Sequence, residues 1–452
     1  MCVSELFGRP DKTLERTGRT GSEHEGSSWG ERGAMGLLEL LCLLLYAAVD
    51  NASGEVLPVL TDQNTELLTK PLFRGPTADA KGDEVKKLCG IECQTGLPPL
   101  NPSDQERILG YETMYDNGTC TRTDVRLRGL NTTGPAPYVS LPTRRKRQVY
   151  GADGRFVICD WQFITSYPFA TAVRLSTGCS GVLVSPKHVL TAANCVHDGR
   201  YYLESVKGLK VGVLQLKNQR GRRRRRWQRA ARKRKQQKGE PLEDGEKNRI
   251  DGELARDRKT WGVGVRRLRR QPGFRWIRVK QTRIPQGWIR SENSTASLAA
   301  DYDYALLELR RAVKLKKFME IGVAPRTFLP ARIHFSGYDH DKSLLTTLGG
   351  EQVVYRFCSV EKESDDLMYQ HCDARPGATG AGVYVRLRRE DGREGGKGKW
   401  QRRVIAVFSG HRWVEVGDGE QREFNVAVRI TPAKYAQMCH WIHGDPSHCK
   451  TL

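Results

Sequence analysis

From Phe156 onward the chain alternates short apolar runs with turn residues, at 169–175, 182–184, 189–193, 209–214, 304–309, 353–357, 382–387, 404–408 and 424–430. Runs of this length, rich in Val, Leu and Phe and broken by Gly, Pro, Asn and Ser, predict many short strands and an all-β barrel architecture. A helical period is clear in one place: Thr431-Pro432 supplies an N-cap and first-turn pair, and Tyr435, Met438, Cys439 and Ile442 then fall on one face of a helix over 433–443. Between 178 and 195 two apolar segments bend at Ser185-Pro186, so a hairpin would bring Cys179 close to Cys195. Nearness in sequence suggests Cys358 with Cys372 and Cys439 with Cys449 as further pairs.

The N-terminal third has a different pattern. Residues 1–34 are polar and Gly-rich, which reads as an upstream extension, and Met35 then opens a Leu-rich run ending near Val49. That run is too short to span a bilayer comfortably and Glu39 interrupts it, so residues 35–53 are expected to be a signal peptide and no stable membrane span is expected. With Cys2 and Cys42 lost alongside it, 10 of the 12 cysteines remain, an even number suited to an oxidising compartment. Asn51, Asn117, Asn131 and Asn293 open glycosylation triplets, again in keeping with a secreted, extracellular chain. Residues 54–147 carry turn-rich clusters and the pair Cys89/Cys93, a spacing read as disulfide chemistry rather than zinc; no metal or cofactor is expected.

Charge changes the picture in one segment. The net charge of +23 is concentrated between Lys217 and Arg290, which holds 27 Lys and Arg against 7 Asp and Glu. Uninterrupted Arg222 to Arg226, followed by Arg229 and Arg232-Lys233-Arg234-Lys235, cannot pack in a core, so residues 217–275 are read as a disordered basic insert. Residues 217–270 would take an anionic glycosaminoglycan or an acidic protein by counterion release, and the secretion signal argues against nucleic acid as the partner.

Several motifs carry a resemblance. The stretch Gly178 to Cys195, ending Thr191-Ala192-Ala193-Asn194-Cys195, resembles the histidine-bearing hairpin of chymotrypsin-like serine proteases, with Asn194 where the family has its base. Asp301-Tyr302-Asp303-Tyr304-Ala305-Leu306-Leu307 is similar to the family's Asp-bearing strand, with Asp303 in the orienting position and Asp301 an alternative by proximity. Gly377-Ala378-Thr379-Gly380-Ala381-Gly382 resembles the nucleophile loop, with Thr379 in place of Ser and Gly377 and Thr379 supplying the oxyanion N–H groups. The resemblance implies a chymotrypsin-like double β-barrel with a closing C-terminal helix over 148–452, preceded by a pro-region. Arg144-Arg145-Lys146-Arg147 before Gln148 is similar to a furin-type convertase site. In that family a new N-terminal ammonium pairs with an Asp next to the nucleophile. Here Gln148 is polar and Ala378 has no charge, so cleavage after Arg147 cannot act through that ion pair. A bridge from Cys120 to Cys159 is expected to keep the two pieces joined.

Acyl transfer needs a proton acceptor beside the hydroxyl. An amide is neither basic nor acidic near neutral pH, and a mid-chain Thr has no amine of its own to serve as base. The degenerate set Asn194, Asp303, Thr379 therefore implies a pseudoprotease that binds matrix or protein partners; the alternative is a weak or narrow-specificity endopeptidase using Thr379 with a relocated base such as His197. Trypsin-like relatives place the Asp that binds basic side chains six residues before the nucleophile, so the resemblance implies a specificity pocket outlined by Asp373 with Ser409 and Gly410.

Overall fold

A computed structural model describes residues 57–68, 73–74, 100–129, 153–158, 160–216, 272–289, 297–325, 332–343, 352–389, 399–416 and 420–449. The expected signal peptide, Asn51, Asn131, Asn293, Cys89, Cys93, Cys159, the Arg147–Gln148 bond and residues 217–271 of the basic insert lie outside these residues; residues 272–275, read as the insert's end, instead begin a strand. The described residues form an all-β chymotrypsin-like fold: two closed barrels, with a C-terminal helix packed on the first.

The first barrel contains β5 (Ala172–Leu175), β6 (Ser180–Leu183), β7 (His188–Thr191), β8 (Lys210–Leu216), β9 (Pro272–Pro285) and β10 (Ala305–Leu309). Closure comes from the pairing of β9 with β10. The second contains β11 (Arg332–Gly337), β12 (Val353–Glu363), β13 (Leu367–Gln370), β14 (Gly382–Arg389), β15 (Lys399–Val416) and β16 (Glu420–Arg429), closed by β15 on β16, with β4 (Phe156–Ile158) pairing to β12 from outside. Strands such as β6 and the Val426–Arg429 end of β16 are buried at every position. They face a barrel core on one side and the neighbouring layer on the other, which is why Val182-Leu183 and Val426-Ala427-Val428 are unbroken apolar runs rather than alternating ones. The disulfides Cys179–Cys195, Cys358–Cys372 and Cys439–Cys449 are all formed.

The segment before the basic tetrad is knitted into the first barrel's sheet. It comprises β1 (Val59–Leu68), helix α1 (Pro102–Leu109), β2 (Tyr111–Tyr115) and β3 (Cys120–Arg128). β2 pairs with β9 from Tyr111 opposite Pro285 to Tyr115 opposite Gln281, and β3 and β1 extend the sheet outward to nine strands. Asn101 caps α1 by accepting the Asp104 N–H at 2.7 Å, with Pro102 in the first turn. The C-terminal helix α2 (Pro432–His443) lies against this segment: Tyr111 meets Trp441 edge-on at 5.4 Å, and the Gln437 amide donates to the Leu109 carbonyl. Burial on both sides explains why Ala433 to Cys439 are all buried, where the sequence period implied a single apolar face.

Cys120 corrects one expectation. Expected to bridge, it is instead a free thiol, buried 3.7 Å from the Tyr202 hydroxyl and 3.8 Å from a Glu112 carboxylate oxygen. Burial pushes the thiol up to about 12, with the Glu112 charge adding to it. Its position on one side of the cleavage site gave no sign that Cys120 would be the core-facing start of β3. Native protein is expected to leave Cys120 unalkylated by iodoacetamide at pH 8, with modification following global unfolding in urea; mass mapping of that cysteine in the native state would show otherwise.

Candidate functional site

Asn194 sits on a short 3-10 turn (Ala193–Cys195) at the end of β7, directly after the apolar strand that buries Val189 and Leu190. The Cys179–Cys195 bond closes the hairpin behind it. That hairpin faces the Thr379 loop: the Ser180 N–H donates to the Thr379 carbonyl at 2.8 Å, and Cys195 Sγ lies 3.8 Å from the same oxygen.

Asp303, fully buried at the mouth of β10, receives the Asn194 backbone N–H on Oδ1 at 2.8 Å and the Asn194 side-chain N–H on Oδ2 at 2.8 Å. The second proton of Asn194 Nδ2 goes to the Ser409 carbonyl at 2.9 Å, and the Ser409 hydroxyl donates to Asp303 Oδ2. Acceptors on that side fix the amide with nitrogen inward and leave Oδ1 as its remaining polar atom. Burial raises the Asp303 carboxyl above its ordinary value, against the opposing influence of Arg412, the Ser409 hydroxyl and two backbone N–H groups. Asp301 is elsewhere: it lies in the 3-10 turn before β10, where burial and the nearby Asp366 raise its carboxyl to about 7.

Thr379 is half-buried in the turn between the 372–378 segment and β14. Gly377 precedes it with φ +101°, and a Cβ there would run into the Tyr338 carbonyl oxygen and stand 2.7 Å from the His340 ring, so only glycine fits. The Ser180 hydroxyl fixes this turn by donating to the Gly377 carbonyl at 2.6 Å and accepting the Tyr338 N–H at 2.9 Å. Gly410 brings β15 against the site: a Cβ on it would lie 3.7 Å from Thr379 Oγ1. The structure thus brings Asn194, Asp303, Gly377, Thr379, Ser409 and Gly410 together. Ser409 directs its polar atoms to Asp303 and Asn194, a role its sequence neighbourhood did not signal. Asp373 is exposed and accepts the Gly154 N–H at 2.7 Å.

His197 is turned into the first barrel. It is 2% exposed, its Nδ1 accepts the Gly199 N–H at 3.0 Å, and its ring stands edge-on to Tyr202. His188 places Nδ1 2.8 Å from the Ser185 hydroxyl, and His340 places Nε2 3.0 Å from the Gly178 carbonyl oxygen. Burial holds His197 down at about 4. A histidine neutral in the fold but protonated when unfolded withdraws stability as pH falls from about 6.5 toward 4, because the unfolded chain then binds the extra proton. Urea midpoints are expected to drop over that window, and His197→Gln should flatten the drop by up to about 3 kcal/mol. An unchanged slope in the variant would remove His197 as the cause.

Two closed barrels with a hairpin-borne residue, a buried carboxylate and a hydroxyl converging between them define a chymotrypsin-like serine protease homologue. Residues 161–244 match the family model Trypsin. The chain is 49% identical to "Inactive serine protease 35" of Mus musculus over 397 residues, covering 87% of this chain and 91% of that one. It is also 41% identical to "Serine protease 23" of Macaca mulatta, over 92% of this chain and 99% of the other. A solved structure, "Structure of Glu endopeptidase in complex with MPD", overlays with TM-score 0.39 at 16% identity, over 64% of this chain and 97% of its own. The chain belongs to the trypsin-like serine protease family, in the group that contains inactive serine protease 35.

Proposed function

We propose that this chain is a secreted, catalytically inactive serine protease homologue that works by binding partners, matrix glycosaminoglycan or acidic protein among them. The observation that carries the reading is the Asn194 amide. Both of its N–H protons are committed to Asp303 and Ser409, so the position next to Thr379 offers a neutral carbonyl oxygen and no proton acceptor of useful basicity. The name of the relatives called inactive serine protease 35 agrees with it.

Binding is assigned to two features, the cleft at Thr379 and the basic segment 217–270, with convertase cleavage after Arg147 as a processing step. Wild-type protein, cut or uncut, is expected to take no label from a fluorophosphonate probe. Labelling that Thr379→Ala abolishes would instead favour a working endopeptidase. On immobilised heparin the full chain should elute only at raised salt, and deletion of 217–270 should remove that retention; retention that survives the deletion would move the binding element elsewhere.

A further inference from the structure

The loop that carries Gly377 and Thr379 is fastened by charges that come from inside the chain. Asp339, whose side chain is 0% exposed, accepts Arg155 Nη1 on Oδ2 at 3.0 Å, the Arg375 backbone N–H on the same oxygen at 3.2 Å, and Arg356 Nη2 on Oδ1. Arg155 is itself gripped on its other faces. Asp341 takes Nη1 at 2.9 Å and Nη2 at 2.8 Å, and Asp153 takes Nε at 2.8 Å and Nη2 at 2.9 Å. Beside the hub, the Gly154 N–H donates to Asp373 and the His340 N–H donates to the Pro376 carbonyl at 2.9 Å. Arg356 continues inward, its guanidinium 4.9 Å over the Phe335 ring, which stacks at 5.1 Å on Phe408; the Phe408 carbonyl accepts the Gly380 N–H at 2.8 Å. Asp339 therefore holds Arg375, on one side of Thr379, directly, and reaches Gly380, on the other side, through Arg356, Phe335 and Phe408.

We propose that Asp339, paired with Arg155 and Arg356, replaces a free N-terminal ammonium as the device that sets the Gly377–Thr379 loop, so that the cleft is formed in the uncut chain. The charge logic supports this. Ala378 leaves no carboxylate for a terminal amine to find. The buried carboxylate has instead moved to Asp339, and its partners are guanidinium groups that need no cleavage to appear. Three carboxylates face two guanidinium groups, and the most buried of them meets both, the arrangement a buried charge requires. Asp339, Arg155 and Arg356 are positioning residues, acting on the cleft through the backbone of 375–380. The inference does not depend on which partner the cleft takes.

The test is site-resolved amide exchange on full-length protein kept uncut by Arg147→Ala. The amides of His340, Arg375, Ala378 and Gly380 are expected to be protected in it. Arg155→Gln, which leaves the Asp339–Arg356 pair in place, should speed exchange at His340, Arg375 and Ala378 by about tenfold or more, while Gly380 and the amides of β14 and β15 keep their rates. Asp341→Asn, which cuts a half-exposed contact, should change the His340, Arg375 and Ala378 rates by less than about threefold. A loop that exchanges freely in the uncut chain, or an Arg155→Gln effect spread evenly over both barrels, would overturn the proposal. Asp339→Asn should extend the loss to Gly380; should that variant fail to fold, Arg155→Gln decides alone. Because the readout is exchange and not binding, loss of heparin retention or of any partner leaves its outcome unaffected.

Discussion

Asn194→His combined with Thr379→Ser is expected to turn this chain into a hydrolase, with ester turnover about 10⁴-fold above wild type. The geometry explains why two changes suffice. Asn Nδ2 and His Nδ1 are both bonded to Cγ, so a histidine at 194 would present its Nδ1–H to Asp303 Oδ2, where the amide proton now lies, and turn Nε2 toward position 379. The Ser409 hydroxyl and the Asn194 backbone N–H already hold Asp303 in place. Either change alone should give less than about a tenfold gain, because nucleophile and base act as one unit. Activity in the double variant should rise through the histidine range, near pH 7, as the new imidazole loses its proton. Adding Asp303→Asn should then cost about 10⁴-fold by removing the orienting carboxylate. A folded double variant with no turnover would mean that the oxyanion loop, rather than the base, is what the site lacks. Turnover by the wild-type chain would mean that a base exists outside position 194.

The parts of the site that sequence made legible are those written as local runs. The hairpin 178–195, the strand after Asp303 and the glycine-bracketed turn at Thr379 each combine a backbone requirement with a chemical residue in a few adjacent positions. The three observed disulfides join cysteines 10 to 16 residues apart, which a nearness argument can reach. The Asp339 hub has no such signature. Its members stand at 153, 155, 339, 341 and 356, and each looks like an ordinary surface charge until the fold brings them together and buries Arg155, Asp339 and Arg356. Cys120 illustrates the converse: its place on one side of the cleavage site suggested a bridge across it, while core-facing placement in a sheet gave the thiol a hydroxyl and a carboxylate as neighbours. β11 and β13 went unread because Arg332–Gly337 and Leu367–Gln370 are short and contain His, Ser and Gln that the second barrel buries.

The segment before the basic tetrad leads to the other large effect. Its turn-rich composition suggested a pro-region and gave no sign of its strands' partners, because β-pairing is non-local and cannot be seen in a strand's own residues. Leu60, Ile108, Leu109, Tyr111, Met114 and Val125 are each no more than 6% exposed against the first barrel and α2. At about 1.5–3 kcal/mol per fully buried side chain these six contribute on the order of 10 kcal/mol, comparable with the whole stability of a typical domain. Their loss would also bare the Gln281–Pro285 edge of β9 and the Tyr304–Trp441 contact beside α2. Residues 148–452 expressed alone are therefore expected to be insoluble or to lack a cooperative unfolding transition, and co-expression of 54–147 should restore both. Protein cut after Arg147 should elute from a sizing column as one particle even with reductant present, its pieces separating only in denaturant. A soluble 148–452 fragment with native near-UV dichroism would show that the barrel needs no such cover, and that cleavage frees a true propeptide.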